Sequence, residues 1–126
     1  MDSGKRCPCG TGLTYGECCG VFHRGDGVAG TAEALMRSRF SAFAVQDEAY
    51  LLRTWHSTAR PRSVDFEPGL RWVDLEILDK TAGGPLHRAG MVEFRARYRV
   101  NGQMGELHEN SRFVREGGEW LYVAPV

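Results

Sequence analysis

Hydrophobic positions along this chain fall into three regimes, and each predicts a different kind of backbone. From Met1 to about Gly25, apolar residues are scarce beyond Leu13, Tyr15, Val21 and Phe22, while Gly4, Gly10, Gly12, Gly16, Gly20 and Gly25 punctuate the segment. So little apolar surface cannot offset the entropy of ordering a chain, so order here has to come from another source. Gly25-Asp26-Gly27-Val28-Ala29-Gly30 reads as a linker. From Thr31 the spacing turns helical. Thr31 is a natural N-cap, and Ala32, Leu35, Met36, Phe40 and Phe43 recur every three or four residues, with Arg37, Ser38 and Ser41 off the stripe. Asp47 caps a shorter helix carrying Tyr50, Leu51 and Trp55, and the stretch 57–69 with Pro61 and Pro68 reads as a loop with at most a helical turn.

Beyond that loop the period drops to two. In 72–78, Val73, Leu75 and Ile77 alternate with Asp74 and Glu76. Ala82-Gly83-Gly84-Pro85 breaks the chain. In 91–100, Val92, Phe94, Ala96, Tyr98 and Val100 share one face, opposite Glu93, Arg95, Arg97 and Arg99. Asn101-Gly102 is a strong hairpin signal, because a type I′ turn needs φ > 0 at both positions. It sets Val100 opposite Gln103, Ala96 opposite Leu107 and Phe94 opposite Glu109. Gly117-Gly118 predicts another hairpin leading into 120–124. The predicted architecture is α+β: an N-terminal knuckle over 1–25, then helices packed on an antiparallel sheet over 26–126.

The knuckle carries the clearest chemistry. Cys7-Pro8-Cys9, eight residues, then Cys18-Cys19 place two cysteine turns at the ends of a glycine-rich loop. Two such turns can converge on one tetrahedral Zn²⁺. A disulfide framework would need an oxidising compartment, and a redox-active vicinal pair at Cys18-Cys19 would need a depressed thiol pKa. Zinc held by Cys7, Cys9, Cys18 and Cys19 is the expectation carried forward. Four protein ligands leave no position for water, so the expected site is structural. His23, four residues past Cys19, is a reserve ligand left outside the set.

Composition narrows the function. The 126 residues, 42% hydrophobic and 25% charged, can bury a core, and the net charge of zero draws the chain to neither nucleic acid nor an anionic membrane. Of 16 basic residues only Lys5 and Lys80 are lysines. No apolar run approaches the ~18–20 residues of a membrane span, and no apolar stretch follows Lys5-Arg6 as a secretory signal would require, so a cytoplasmic setting is expected.

The residues also carry a resemblance. The run from Cys7 to Gly20 resembles the SEC-C zinc motif, a knuckle also found in the SecA translocase. Leu35 to Phe43, Leu51 to His56, Val92 to Ala96, His108 to Phe113 and Trp120 to Val123 resemble the YchJ bacterial family. The resemblance implies a cone-shaped, nuclear-transport-factor-2-like body, and zinc at the four cysteines. It implies no reaction. Some members carry a second cysteine knuckle at the C-terminus, which Tyr122-Val123-Ala124-Pro125-Val126 does not repeat.

On the apolar face of the sheet the hairpin register gathers a second candidate site: Glu109 and Ser111 with Phe94 and Tyr98, joined across the second hairpin by Trp120 and Tyr122. Glu109 is either a ligand anchor there or a structural partner for Arg37 or Arg39. Three functions follow in order. The first is a protein-interaction module presenting its knuckle. The second is a small-ligand or enzymatic site around Glu109. The third is RNA binding by the knuckle, with Tyr15 stacking beside Lys5 and Arg6. Binding is expected ahead of catalysis, and no catalytic residue is assigned.

Overall fold

A computed structural model describes residues 2–126. A turn of 3₁₀ helix at Tyr15–Glu17 leads into α1 (Cys19–His23), followed by α2 (Ala32–Val45), α3 (Glu48–Arg53) and four strands: β1 (Leu70–Ala82), β2 (Ala89–Val100), β3 (Gln103–Glu116) and β4 (Glu119–Pro125). The strands form one antiparallel sheet in the order β1-β2-β3-β4.

Both helix starts follow from their caps. The Thr31 hydroxyl accepts from the Ala34 amide at 3.0 Å, and the Asp47 carboxylate accepts from the Tyr50 amide at 3.1 Å. Replacing Thr31 with Ala is expected to cost about 1 kcal/mol in a denaturant titration, because one amide of the first turn loses its acceptor. The linker expected at 25–30 is fastened at its far end. Ala29 is buried, and the Gly30 carbonyl accepts a hydrogen bond from the Trp120 indole.

The β2–β3 ladder runs unbroken from Ala89↔Val114 to Val100↔Gln103, with Phe94↔Glu109 and Ala96↔Leu107 in the expected register. Asn101 and Gly102 both take positive φ, as the turn requires. β1 departs from the expected pattern. It is longer at both ends and bulges between Trp72 and Asp74 and between Ile77 and Asp79. The bulge leaves Val73 without a partner in β2 and exposed, while Trp72 turns inward onto Phe40 and Tyr98. The sequence placed Val73 on the apolar face; the extra residue at the bulge shifts the alternation and reverses that assignment. Two bulges also bend the strand, which curves the sheet around the helices.

α2 is the centre of the molecule. It packs on β1, β2 and β4 on one side, and on α1 and α3 on the other. Its polar positions are therefore not a solvent face. Ser38 and Ser41 are fully buried and Arg39 is only 3% exposed. The Ser38 hydroxyl meets the Leu35 carbonyl and the Tyr50 hydroxyl, at 2.8 and 2.7 Å. These are the residues against which the knuckle and α3 dock. Leu35, Phe40, Val92, Phe94, Phe113 and Trp120 form one apolar core with Cys7, Cys9 and Cys19. The knuckle is part of the same packed unit as the sheet.

Candidate functional site

The knuckle loop is closed by backbone pairing. The Cys7 amide donates to the Leu13 carbonyl at 2.9 Å, and the Tyr15 amide donates to the Lys5 carbonyl at 2.8 Å. Gly10 and Gly12 take φ of 88° and 90°, which lets the chain reverse tightly between the two cysteine turns. Cys18 precedes α1 and Cys19 opens it. The four sulfurs all lie within 4.8 Å of one another, with Cys9–Cys18 at 3.6 Å and Cys18–Cys19 at 4.0 Å.

A metal–sulfur distance of about 2.3 Å in a tetrahedron puts sulfurs roughly 3.8 Å apart, so the cluster is sized for a metal ion and too open for a disulfide. All four cysteines are free. Cys7, Cys9 and Cys19 are buried and Cys18 is partly exposed at the edge of the cluster.

Polar groups around the sulfurs come from the loop and from α2. Thr11 Oγ1 lies 3.2 Å from the Cys18 sulfur, and Ser41 Oγ lies 3.4 Å from the Cys7 sulfur. Arg37 donates through Nη1 to the Cys9 carbonyl at 2.7 Å and is itself held by Glu33 at 2.9 Å. Two further guanidiniums reach knuckle carbonyls: Arg53 of α3 donates to Phe22 at 3.0 Å, and Arg24 donates to Gly16 at 3.2 Å.

With no metal, burial pushes the Cys18 thiol up to about 11. Hydrogen bonding to Cys7 and Cys9, with burial, pushes Cys19 up, while hydrogen bonds from Cys19 and Cys9 pull Cys7 down. A metal ion bound by these sulfurs therefore displaces protons, and its affinity falls as pH falls.

His23 stands beside the centre but outside it. Its Nδ1 is 2.6 Å from the Tyr15 hydroxyl and its Nε2 is 2.8 Å from the Ser38 carbonyl. Burial pushes the Tyr15 phenol pKa up, so Tyr15 donates to Nδ1 while Nε2–H donates to the carbonyl. In this arrangement the neutral ring has both nitrogens satisfied.

Burial accordingly holds the His23 pKa below its ordinary value, despite the opposing Ser38 carbonyl. A lowered folded pKa means the unfolded chain binds the extra proton first. The stabilisation is complete above the unfolded value of about 6.5 and is lost as pH falls below it. Denaturant midpoints measured at pH 7.5 and 5.5 are therefore expected to fall further for the natural chain than for His23→Gln. Thiol protonation acts on both proteins and cancels in the comparison.

The second candidate site lies between α2 and the sheet. A cavity of ≈ 260 Å³ is walled by Phe40, Phe43, Trp72 and Phe94, with Arg39, Trp55, Glu109, Ser111 and Tyr122 among its polar contributors. Of the six residues expected there, Phe94, Glu109, Ser111 and Tyr122 stand on its wall. Trp120 and Tyr98 do not. Trp120 is 2% exposed in the core, its indole N–H spent on the Gly30 carbonyl. Tyr98 lies over Gly105, where an added Cβ would come within 2.4 Å of its ring, and packs on Trp72. β3 holds Glu109 and Ser111 at the wall because they alternate with His108 and Asn110.

The ion pair anticipated between Glu109 and an arginine of α2 does not form. Arg37 is held by Glu33, and Arg39 donates to the Leu51 carbonyl and Thr54 Oγ1. Burial pushes the Tyr122 phenol up, and the charge of Glu109 pushes the same way, against Arg39.

The sequence reading missed Arg39, Trp55 and Trp72 as wall residues. For Arg39 the signal was present, since it lies three residues after Met36 and four before Phe43, on the apolar stripe itself. On the outer face, Arg97–Asp74 and Arg95–Glu76 at 3.1 Å and His108–Glu93 at 2.7 Å form a charge ladder. Such exposed pairs contribute little stability.

Helices on a curved antiparallel sheet, led by a four-cysteine knuckle, define a metal-motif protein with a nuclear-transport-factor-2-like body. Family comparison agrees. Residues 31–125 match the YchJ middle NTF2-like domain and residues 5–20 match the SEC-C motif. The chain belongs to the YchJ-like family.

Its relatives include a UPF0225 protein of Streptomyces coelicolor, 54% identical over 117 residues, covering 93% of this chain and 91% of the relative. One from Corynebacterium glutamicum is 52% identical over 119 residues, covering 94% of each. Among solved structures, a SEC-C motif protein from Rhodopseudomonas palustris superposes with a TM-score of 0.83 at 32% identity, covering 95% of this chain and 96% of the other. A SEC-C motif protein from Psychrobacter arcticus gives 0.81 at 28% identity, covering 98% and 83%. No helix among the described residues is long and apolar enough to cross a membrane.

Proposed function

We propose that this protein is a zinc-stapled small-ligand-binding domain, with Zn²⁺ structural at Cys7, Cys9, Cys18 and Cys19 and the working site in the cavity between α2 and the sheet. Thiolate-only coordination in a tetrahedral cluster suits zinc, and four sulfurs leave it no open position for chemistry. The observation that carries the ligand reading is the cavity itself: aromatic walls around ≈ 260 Å³, with the Ser111 hydroxyl and the Trp55 indole N–H buried there without partners. Buried polar groups of this kind are ordinarily satisfied, so donors left free on an apolar cavity suit a bound molecule.

The protein-contact role expected of the knuckle has less surface to work with. The side bearing Cys7, Cys9 and Cys19 is spent on α2, which leaves residues 2–6, the loop at 10–13 with Leu13 52% exposed, and residues 24–26 as its open surface.

Thermal-shift screening of the metal-loaded chain against a fragment library tests the proposal. A ligand at about 100 times its Kd adds about 2.7 kcal/mol and should shift the melting midpoint by several degrees. Ala96→Leu, which places bulk on the cavity wall, should remove the shifts. A library without hits, or hits indifferent to Ala96→Leu, would sink the reading.

A further inference from the structure

Arg39 is a cation where a cation is costly. It is 3% exposed, and no carboxylate among the described residues pairs with it. A buried charge without a counter-charge is among the least favourable things a core can hold.

Its geometry is nevertheless well fixed. The guanidinium carbon sits 4.8 Å from the Trp55 ring and 4.6 Å from the Tyr122 ring, so two aromatic rings hold it. Both of its hydrogen bonds leave from Nη1, to the Leu51 carbonyl at 2.8 Å and Thr54 Oγ1 at 2.7 Å. Those two bonds occupy both Nη1 protons. The edge left over is Nε–H with Nη2, the side-on face of the fork, and Arg39 is part of the cavity wall. Burial lowers its pKa only to about 10, so it keeps its charge at neutral pH.

The neighbouring free groups are donors too. Trp55 Nε1 and Ser111 Oγ are both buried on this wall without partners. An indole and a guanidinium can only donate. Glu109 stands on the same wall but is only half-buried and makes no ion pair with Arg39, so around the guanidinium the free groups are donors beside one unpaired positive charge, and that part of the wall suits an anionic acceptor.

We infer that the cavity binds a small apolar monocarboxylate, its carboxylate on the Nε–Nη2 edge of Arg39 and its body among Phe40, Phe43, Trp72 and Phe94. This rests on the ligand-binding reading above. A planar carboxylate matches the spacing of the fork, and its single charge balances the single cation. A dianion would leave charge uncompensated in an apolar space that already has Glu109 on its wall. The volume, ≈ 260 Å³, lies below the roughly 300–1,000 Å³ of sites for drug-sized molecules, so the ligand is small.

Calorimetric titration of the metal-loaded full chain with phenylacetate, 3-phenylpropionate and 4-methylvalerate, each beside its neutral amide, tests the inference. The acids should bind about tenfold or more tighter than the amides, the value of one charge-assisted hydrogen bond. Arg39→Met, checked for folding by circular dichroism, should remove that preference while amide binding persists. Equal affinity of acids and amides, or inorganic phosphate competing as well as the acids, would overturn the carboxylate assignment and leave the cavity as a ligand site. Binding of neither acids nor amides would overturn the ligand reading and this inference together. Should Arg39→Met not fold, Ser111→Ala and Trp55→Phe take its place. Each should weaken the acids severalfold, and unchanged acid affinity in both would contradict the inference.

Discussion

Removing the metal, by chelation or by Cys9→Ser, should unfold far more than the knuckle. Structural zinc contributes on the order of 10 kcal/mol to small cysteine modules, comparable with the whole stability of a domain this size. The coupling is physical. Cys7, Cys9 and Cys19 share one apolar core with Leu35, Phe40, Phe94 and Trp120. Ser41 touches the Cys7 sulfur, and Arg37 reaches the Cys9 carbonyl. Losing the knuckle would expose Ser38 and Ser41 on α2 and leave Leu35 and Phe40 without one side of their packing. Near-ultraviolet circular dichroism should collapse with the metal, and the urea midpoint should drop below the measurable range or close to it. A sheet that melts at its original midpoint after metal removal would show that the staple acts only locally.

Trp120→Ala is expected to destabilise the protein by about 3–5 kcal/mol, the range for deleting a large core aromatic. Trp120 is fully buried, its indole N–H is bonded to the Gly30 carbonyl, and it packs in the cluster that joins sheet, α2 and knuckle. The loss therefore combines a cavity with an orphaned carbonyl at the end of the segment leading into α2. Because Trp120 stands off the ligand cavity, Trp120→Phe should lower the urea midpoint while leaving fragment binding within twofold. A change in binding as large as the change in stability would place Trp120 on the cavity wall instead.

The sequence exposed those features that depend on local chemistry. The caps at Thr31 and Asp47, the Asn101-Gly102 turn and the register it imposes on Glu109 are all set by neighbouring residues, and the structure has them as expected. The cysteine cluster was legible because its ligand spacing is short. What stayed hidden depends on distant packing. Ser38 and Ser41 lie off the apolar stripe, and nothing near them in sequence shows that the knuckle and α3 dock there. Val73 read as inward because a bulge is a pairing event, invisible in one strand alone. Arg39 sat on the apolar stripe of α2, and its charge led to its being treated as a candidate partner for a carboxylate. Its buried position makes it a wall residue of the cavity instead.

With the working site in the cavity and the metal centre as a staple, the three tryptophan indoles separate those roles in a single experiment. Trp55 and Trp72 line the cavity, while Trp120 is bonded to the Gly30 carbonyl away from it. In proton–nitrogen correlation spectra of the metal-loaded chain titrated with a fragment mixture, the Trp55 and Trp72 indole signals should move together with the Ser111 amide. Trp120 and the amides of residues 8–17 should stay in place. Shifts confined to the knuckle loop, or spectra that no fragment changes, would contradict the account.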